Sequence, residues 1–383
     1  MAEKVKILCV GIGGYASVYL KYLLKSKSEK FQIVGMVEIS PDTCQYYQNL
    51  KKLGVPLFKT MEEFYAKNSA DLAIITTPIH LHKSQILCAL KNGTNVMCEK
   101  PLSAVSSDEL EINSAINESS KFVIIGYQWS YSKAINDLKS DIIKGLYGEP
   151  EFLKSLVLWP RPEEYFTRGS GWAGKKIGPN GEIINDSVVN NATAHFLHNM
   201  LYITGKEAGK SSEVVWVEAD ISRTNKIENF DTAAIRFKLD NGANGLFLVS
   251  HAVNKLVDPI FEYRFSNGIV SYDTKENMII GKTHDGKIFN YGDPFKDVNE
   301  KIYEAIKAVN VENYSPICGV SAAAAQVRCV EKIQKCDIHN IKKDFILRNE
   351  NILYVDKLDD LLLKCYKEEK ILSDYPEYIE MID

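Results

Sequence analysis

Through its first third the chain alternates short runs of apolar residues with stretches whose apolar positions recur every three to four residues. The first pattern is that of strands buried on both faces, and the second that of helices with one buried side. It predicts strands over 6–10, 31–37, 57–58, 72–76, 96–98 and 122–125. Between them it predicts helices ending near 25 and covering 44–53, 60–66, 82–91 and 107–119, the fourth stopped by Asn92-Gly93. Strands and helices in strict alternation imply a parallel, doubly wound sheet, because a crossover helix lets consecutive strands run the same way.

After Gly126 the rhythm changes. A helical pattern over 134–144 leads into Gly148-Glu149-Pro150, and strand patterns then dominate. Leu153, Ser155, Val157 and Trp159 share one alternating frame, and further strands are predicted over 213–221, 231–239, 245–251, 261–266 and 269–272. Asn241-Gly242 and Asn267-Gly268 read as hairpin turns. Helices interrupt over 192–203, 298–309 and 322–335. The expectation is an α/β domain with a parallel, doubly wound sheet over 1–126, followed over 127–383 by an α+β domain with a mostly antiparallel sheet. The loop over 159–182, rich in Pro, Gly and Arg, is too long for a plain connection and reads as functional.

Composition adds mainly exclusions. At 383 residues, 45% apolar and 25% charged, the chain has the make-up of an ordinary globular protein of two-domain length. A formal net charge of -4 offers no basic field for nucleic acid or anionic lipid. No apolar run reaches the length of a membrane span, and MAEKVKILCV enters a strand without a signal-peptide core. The eight cysteines form no C-x-x-C pair and no Cys/His cluster, so neither a disulfide framework nor a metal site is expected. These observations predict a reduced, cytoplasmic protein whose partner is a small molecule.

Gly11-Ile12-Gly13-Gly14-Tyr15-Ala16 follows the first predicted strand and opens a helix. Glycines there let the backbone approach a pyrophosphate, which the free amides and dipole of the helix N-terminus favour. Glu38 closes the next strand, where a carboxylate accepts the adenosine ribose hydroxyls and repels a 2′-phosphate. No arginine follows it in Ile39-Ser40-Pro41. NAD is therefore expected over NADP.

Two further segments end successive strands of the same sheet: Thr76-Thr77-Pro78-Ile79-His80-Leu81-His82 and Cys98-Glu99-Lys100-Pro101-Leu102. They resemble the T-P-x-x-x-H and E-K-P motifs of the glucose–fructose oxidoreductase / inositol dehydrogenase / rhizopine-catabolism (Gfo/Idh/MocA) family. Gly145-Leu146-Tyr147-Gly148-Glu149-Pro150 resembles that family's entry into its second domain, and the resemblance implies an α/β Rossmann dinucleotide-binding domain over 1–126 followed over 127–383 by an α+β domain with a large, mostly antiparallel, open-faced sheet. The resemblance implies Thr76, Thr77, Pro78, His80, Glu99 and Lys100 beside the dinucleotide, a cis Lys100–Pro101 bond, and Lys100 as a proton-transfer or substrate-binding group. His82 reads as a structural hydrogen-bonding group. From the pattern alone, Lys100 lies at the carboxyl end of a parallel strand, where ligands of such sheets bind.

In the second domain the family carries an Asp, a His four residues later and often a further Asp three residues on. Asn191, His195 and His198 occupy that spacing here, on one predicted helical face. Asn191 thus replaces the first acid and His198 the second. His195 is the expected general base, its ordinary pKa lying near working pH, and Asp186 is a substitute carboxylate. In the preceding loop Arg161, Tyr165, Arg168, Trp172 and Lys175 suggest a lining for a hydroxyl-rich ligand. The catalytic candidates are thus Lys100, His195 and Asn191, with Trp172, Lys175 and Asp186 as further substrate contacts. The resemblance implies an NAD(P)-dependent oxidoreductase that oxidises a secondary hydroxyl of a sugar, cyclitol or related polyol. A second reading, favoured by Asn191, is a dinucleotide-binding regulatory protein without turnover. A sheet with one open face further suggests a homodimer or homotetramer.

Overall fold

A computed structural model of the chain describes residues 3–26, 29–167 and 171–383. They divide into two compact units, one of residues 1–131 with 297–324, the other of residues 132–296 with 325–383. The first division falls a few residues beyond Gly126. The return of 297–324 to the first unit has no counterpart in the expected division into 1–126 and 127–383.

The first unit opens with β1 (Val5–Val10), α1 (Ala16–Lys25), β2 (Phe31–Val37), α2 (Tyr47–Lys52) and β3 (Leu57–Phe58). It continues with α3 (Met61–Tyr65), β4 (Leu72–Ile75), α4 (His82–Lys91), β5 (Asn95–Cys98), α5 (Asp108–Ser119) and β6 (Val123–Ile125). The six strands form one sheet in the order β3-β2-β1-β4-β5-β6. Every pair in it is parallel. The order reverses about β1 and β4, and in doubly wound sheets that switch point opens the ligand crevice. β4, β5 and β6 are buried along their whole length, which is why these runs lack polar alternation.

The second unit begins with α6 (Lys133–Ile143), β7 (Pro150–Leu158), α7 (Glu163–Thr167) and α8 (Ala194–Ile203). A run of strands follows: β8 (Val214–Arg223), β9 (Thr232–Leu239), β10 (Asn244–Ser250), β11 (Val257–Phe265), β12 (Gly268–Asp273), β13 (Met278–Thr283) and β14 (Ile288–Gly292). The chain then gives α9 (Glu300–Ala308) to the first unit, and α10 (Val320–Ile333) starts there and continues in the second. β15 (Ile338–Asn340), the hairpin β16 (Ile346–Asn349) and β17 (Ile352–Val355), α11 (Leu358–Glu368) and α12 (Pro376–Met381) complete it.

Nine of these strands form the order β14-β13-β12-β11-β7-β10-β9-β8-β15. Only β7–β10 and β8–β15 are parallel among the described residues. Gly242, at φ +92°, turns β9 into β10, as its Asn-Gly pair predicts. Gly268 does something else: it is already paired with Phe265 as the first residue of β12. A Cβ there would stand 2.6 Å from the Lys282 carbonyl oxygen, so this glycine admits the neighbouring backbone.

The central strands are covered by the chain's own C-terminus. Leu156, Leu158, Ala234, Leu246 and Leu248 form one buried cluster with Leu361, Leu362 and Cys365 of α11. Lys154, buried in β7, pairs with Glu369 at 3.2 Å, and Arg264 of β11 meets the same carboxylate at 2.6 and 2.8 Å. Over these strands a covering that the sequence assigns to a second copy is intramolecular.

Candidate functional site

In the first unit the glycine turn lies between β1 and α1. Gly11 has φ +75°, and a Cβ on it would stand 2.9 Å from Thr77 Cγ2. Gly14 has φ +54° and would meet nothing within 4 Å, which leaves that side of the turn open. Thr76 pins the turn from the neighbouring strand, its hydroxyl donating to the Gly11 carbonyl at 2.7 Å. Among the described residues the amides of Gly13 and Gly14 meet no acceptor. Amides left free at the start of α1 suit an anionic pyrophosphate.

Glu38 stands directly after β2 and reaches back to the turn. One carboxylate oxygen accepts the Ile12 amide at 3.0 Å, and the other accepts those of Ile39 and Ser40 at 2.9 and 3.0 Å. A carboxylate has about four lone-pair sites, so Glu38 keeps acceptor capacity for a ribose hydroxyl. Tyr15 is about half exposed beside the turn, and Ala16 begins α1 in the core. The cradle fits a dinucleotide by shape and by its donors and acceptors.

The two motif segments meet on the same side of the sheet. His82 is buried, with Nδ1 2.8 Å from the Pro101 carbonyl oxygen and Nε2 3.0 Å from that of Thr77. It stitches the Thr77-Pro78 turn to the Lys100–Pro101 bond, which is cis. Burial holds the His82 pKa below its ordinary value despite those carbonyls, and a neutral imidazole donates to one of them only. His80 is half-buried in the short turn before α4. Thr77 also donates to Gln85 at 2.5 Å.

Glu99 and Lys100 follow β5. Glu99 is buried, accepts the Lys100 amide at 3.2 Å, and pairs with Lys301 Nζ at 2.5 Å. Burial alone would raise the Glu99 pKa, but Lys301 and Lys100 hold it below the usual carboxylate value. Sequence reasoning missed Lys301. It lies 202 positions from Glu99 on an amphipathic helix, where a lysine reads as solvated.

In the second unit α8 begins at Ala194, so Asn191 lies in the turn before the helix. This corrects the expected single helical face. Asn191 donates to the Tyr165 hydroxyl at 3.3 Å. His195, half-buried in the first turn, sets its ring edge-on to Phe196 at 6.5 Å. His198 is buried and stacks on Tyr202 at 5.5 Å, and burial with the Lys139 charge pushes its pKa down to about 3. A neutral core imidazole cannot stand in for an acid.

The loop residues divide likewise. The Asp186 carboxylate is buried and accepts the Gly174 amide at 2.6 Å, so it braces the loop. Lys175 pairs with Glu228 at 2.7 Å on the surface, which is not a pocket lining. Trp172 is half-buried, its carbonyl accepting the Lys175 amide. Arg168 lies outside the described residues. A cluster instead gathers Arg161 over the rings of Trp159 and Tyr165, at 5.6 and 5.0 Å, with His251 behind Tyr165 at 5.6 Å.

The family described as "Oxidoreductase family, NAD-binding Rossmann fold" (GFO_IDH_MocA) matches residues 5–127. Inositol 2-dehydrogenase of Corynebacterium glutamicum is 22% identical over 247 residues, 63% of this chain and 66% of that protein. Glucose-6-phosphate 3-dehydrogenase of Bacillus subtilis is 29% identical over 184 residues, 46% of this chain and 50% of that one. The chain thus aligns with half to two thirds of the length of these relatives. The WlbA dehydrogenase of Bordetella pertussis, solved with NADH and UDP-GlcNAcA, has the same fold at TM-score 0.70 and 17% identity, covering 87% of this chain and 97% of that one. With its glycine turn and its Thr-Pro and Glu-Lys-Pro segments, the stretch over residues 5–127 thus matches the NAD-binding Rossmann domain of the Gfo/Idh/MocA oxidoreductase family.

Proposed function

We propose that this protein is an NAD(P)-dependent dehydrogenase acting on a secondary hydroxyl of a sugar, cyclitol or related polyol, with NAD the preferred cofactor. The observation that carries the reading is the cradle of the first unit, where an open glycine turn, Glu38 and the Glu99-Lys100 corner share the carboxyl edge of one parallel sheet. The dehydrogenases named above act on hydroxylated rings, which supports the substrate class. When bound, the nicotinamide dinucleotide takes or returns the hydride. Gly13 and Gly14 amides hold its pyrophosphate, and Glu38 receives the adenosine ribose. Lys100 donates a hydrogen bond to the substrate hydroxyl. His195, half-buried where His198 is fully buried, accepts the hydroxyl proton, and Asn191 orients the ligand with Tyr165.

A panel of polyols, sugars and sugar phosphates, followed by the near-ultraviolet absorbance of reduced nicotinamide, tests the reading. Turnover of at least one compound is expected. Tight NAD binding with no turnover across the panel would favour the regulatory alternative.

A further inference from the structure

The first unit buries an ion pair beneath its dinucleotide cradle. Lys301 and Glu99 are 2% and 6% exposed, and removing two charges from water costs several kcal/mol per ion unless both are well paired. Here both are. Glu99 Oε1 accepts from Lys301 Nζ and from the Tyr19 hydroxyl, while Oε2 accepts the Lys100 amide. Lys301 Nζ donates in addition to the Gly126 carbonyl at 3.2 Å and lies 4.8 and 5.3 Å from the ring centres of Tyr19 and Tyr15. Gly126 is fitted to the pair, since a Cβ on it would stand 2.9 Å from Glu99 Oε1. A replacement by apolar residues of similar volume is often neutral or stabilising, so stability alone gives little reason for this arrangement.

Its placement gives a better one. Tyr15 belongs to the glycine turn, Tyr19 to α1, Glu99 to the strand end that carries Lys100, and Lys301 to α9. We infer that Lys301 is a positioning residue of the dinucleotide site: it neutralises Glu99, so that no unpaired anion stands beside the cofactor. The inference rests on the dinucleotide-binding reading above. Without the Lys301 ammonium, the Glu99 carboxylate would repel the anionic dinucleotide and draw the Lys100 ammonium to itself. The other titratable groups that face Glu99 are Tyr15, Tyr19, Cys98, Tyr127 and His82. Burial holds the phenols and the thiol protonated and His82 neutral, so none of them replaces that cation.

The test is NADH binding to the full chain, read by nicotinamide fluorescence between about pH 6 and 8.5, since a carboxylate freed from an opposite charge and still buried has its pKa raised. K301M is expected to bind roughly tenfold more weakly than the unaltered protein at the alkaline end, the equivalent of about 1.4 kcal/mol. The E99Q/K301M double variant removes both charges and should recover most of that affinity. The gap between K301M and the double variant should close toward acid, as Glu99 takes up a proton. K301R should bind nearly as the unaltered protein does. The inference is overturned if K301M binds NADH normally at every pH, or binds it weakly by a constant factor that E99Q does not relieve. If K301M does not fold, the double variant decides: a folded double variant that fails to bind NADH also overturns it. An unaltered protein that binds no NADH would instead remove the dinucleotide reading beneath it.

Discussion

Glu38 takes part in two things at once: its carboxylate holds the Ile12 amide and retains acceptor sites for a ribose. Glu38→Ser should therefore lower NAD affinity and narrow the preference over NADP, whose 2′-phosphate the carboxylate repels. Titration of both cofactors checks this, and equal or tighter NADP binding by the unaltered protein would refute the assignment. His195→Ala should lower kcat by roughly 10²–10⁴-fold, the usual worth of a positioned general base, while NAD affinity holds because the cradle lies in the other unit. Single-substrate kinetics beside cofactor titration separate the two effects. Asn191→Asp in the otherwise unaltered protein should raise the pH optimum, a carboxylate favouring the His195 imidazolium. His198, three positions from His195, has another fate because its ring is enclosed. Spacing along a helix assigns a side, and only the packed neighbours decide whether that side is wet.

Elements turn these residues into machinery. The glycine turn works because β1 and β4 are adjacent, which puts Thr76 and Thr77 against Gly11. Gly11→Ala should abolish NADH binding, as the methyl would strike Thr77 at a backbone conformation that L-residues avoid; fluorescence titration with a melting curve as control reads the outcome. In α8, the depressed His198 pKa couples the element to pH. The unfolded imidazole binds a proton below about 6.5 whereas the folded one does not until about 3, so stability falls as pH drops through that window. Between pH 6.5 and 5 the loss should be about 2 kcal/mol. Denaturant unfolding at several pH values measures it, and His198→Leu should flatten the dependence. An unchanged slope in that variant would place the titrating group elsewhere.

At the scale of the whole molecule, the first unit is not continuous in sequence. Residues 297–324 belong to it, and with them Lys301. A fragment ending at Tyr131 leaves Glu99 buried without its counter-charge, and an uncompensated buried ion is strongly destabilising. Such a fragment should lack the cooperative melting of the intact chain and bind no NADH; circular dichroism and titration would show it, and a well-folded, binding fragment would contradict the account. The sequence by itself determined what depends on short-range pattern: the six parallel strands, the glycine turn with Glu38 at its set distance, the Thr-Pro and Glu-Lys-Pro strand ends, and the Asn-Gly turn at Gly242. These are legible because periodicity and backbone freedom act over a few residues. Tertiary structure alone decided that Lys301 neutralises Glu99, that His198 and Asp186 are structural, that Gly268 makes room for a neighbouring strand, and that α11 covers the central strands. Each of these rests on a contact between residues distant in sequence, or on the loss of water around a side chain, and composition and spacing carry no record of either.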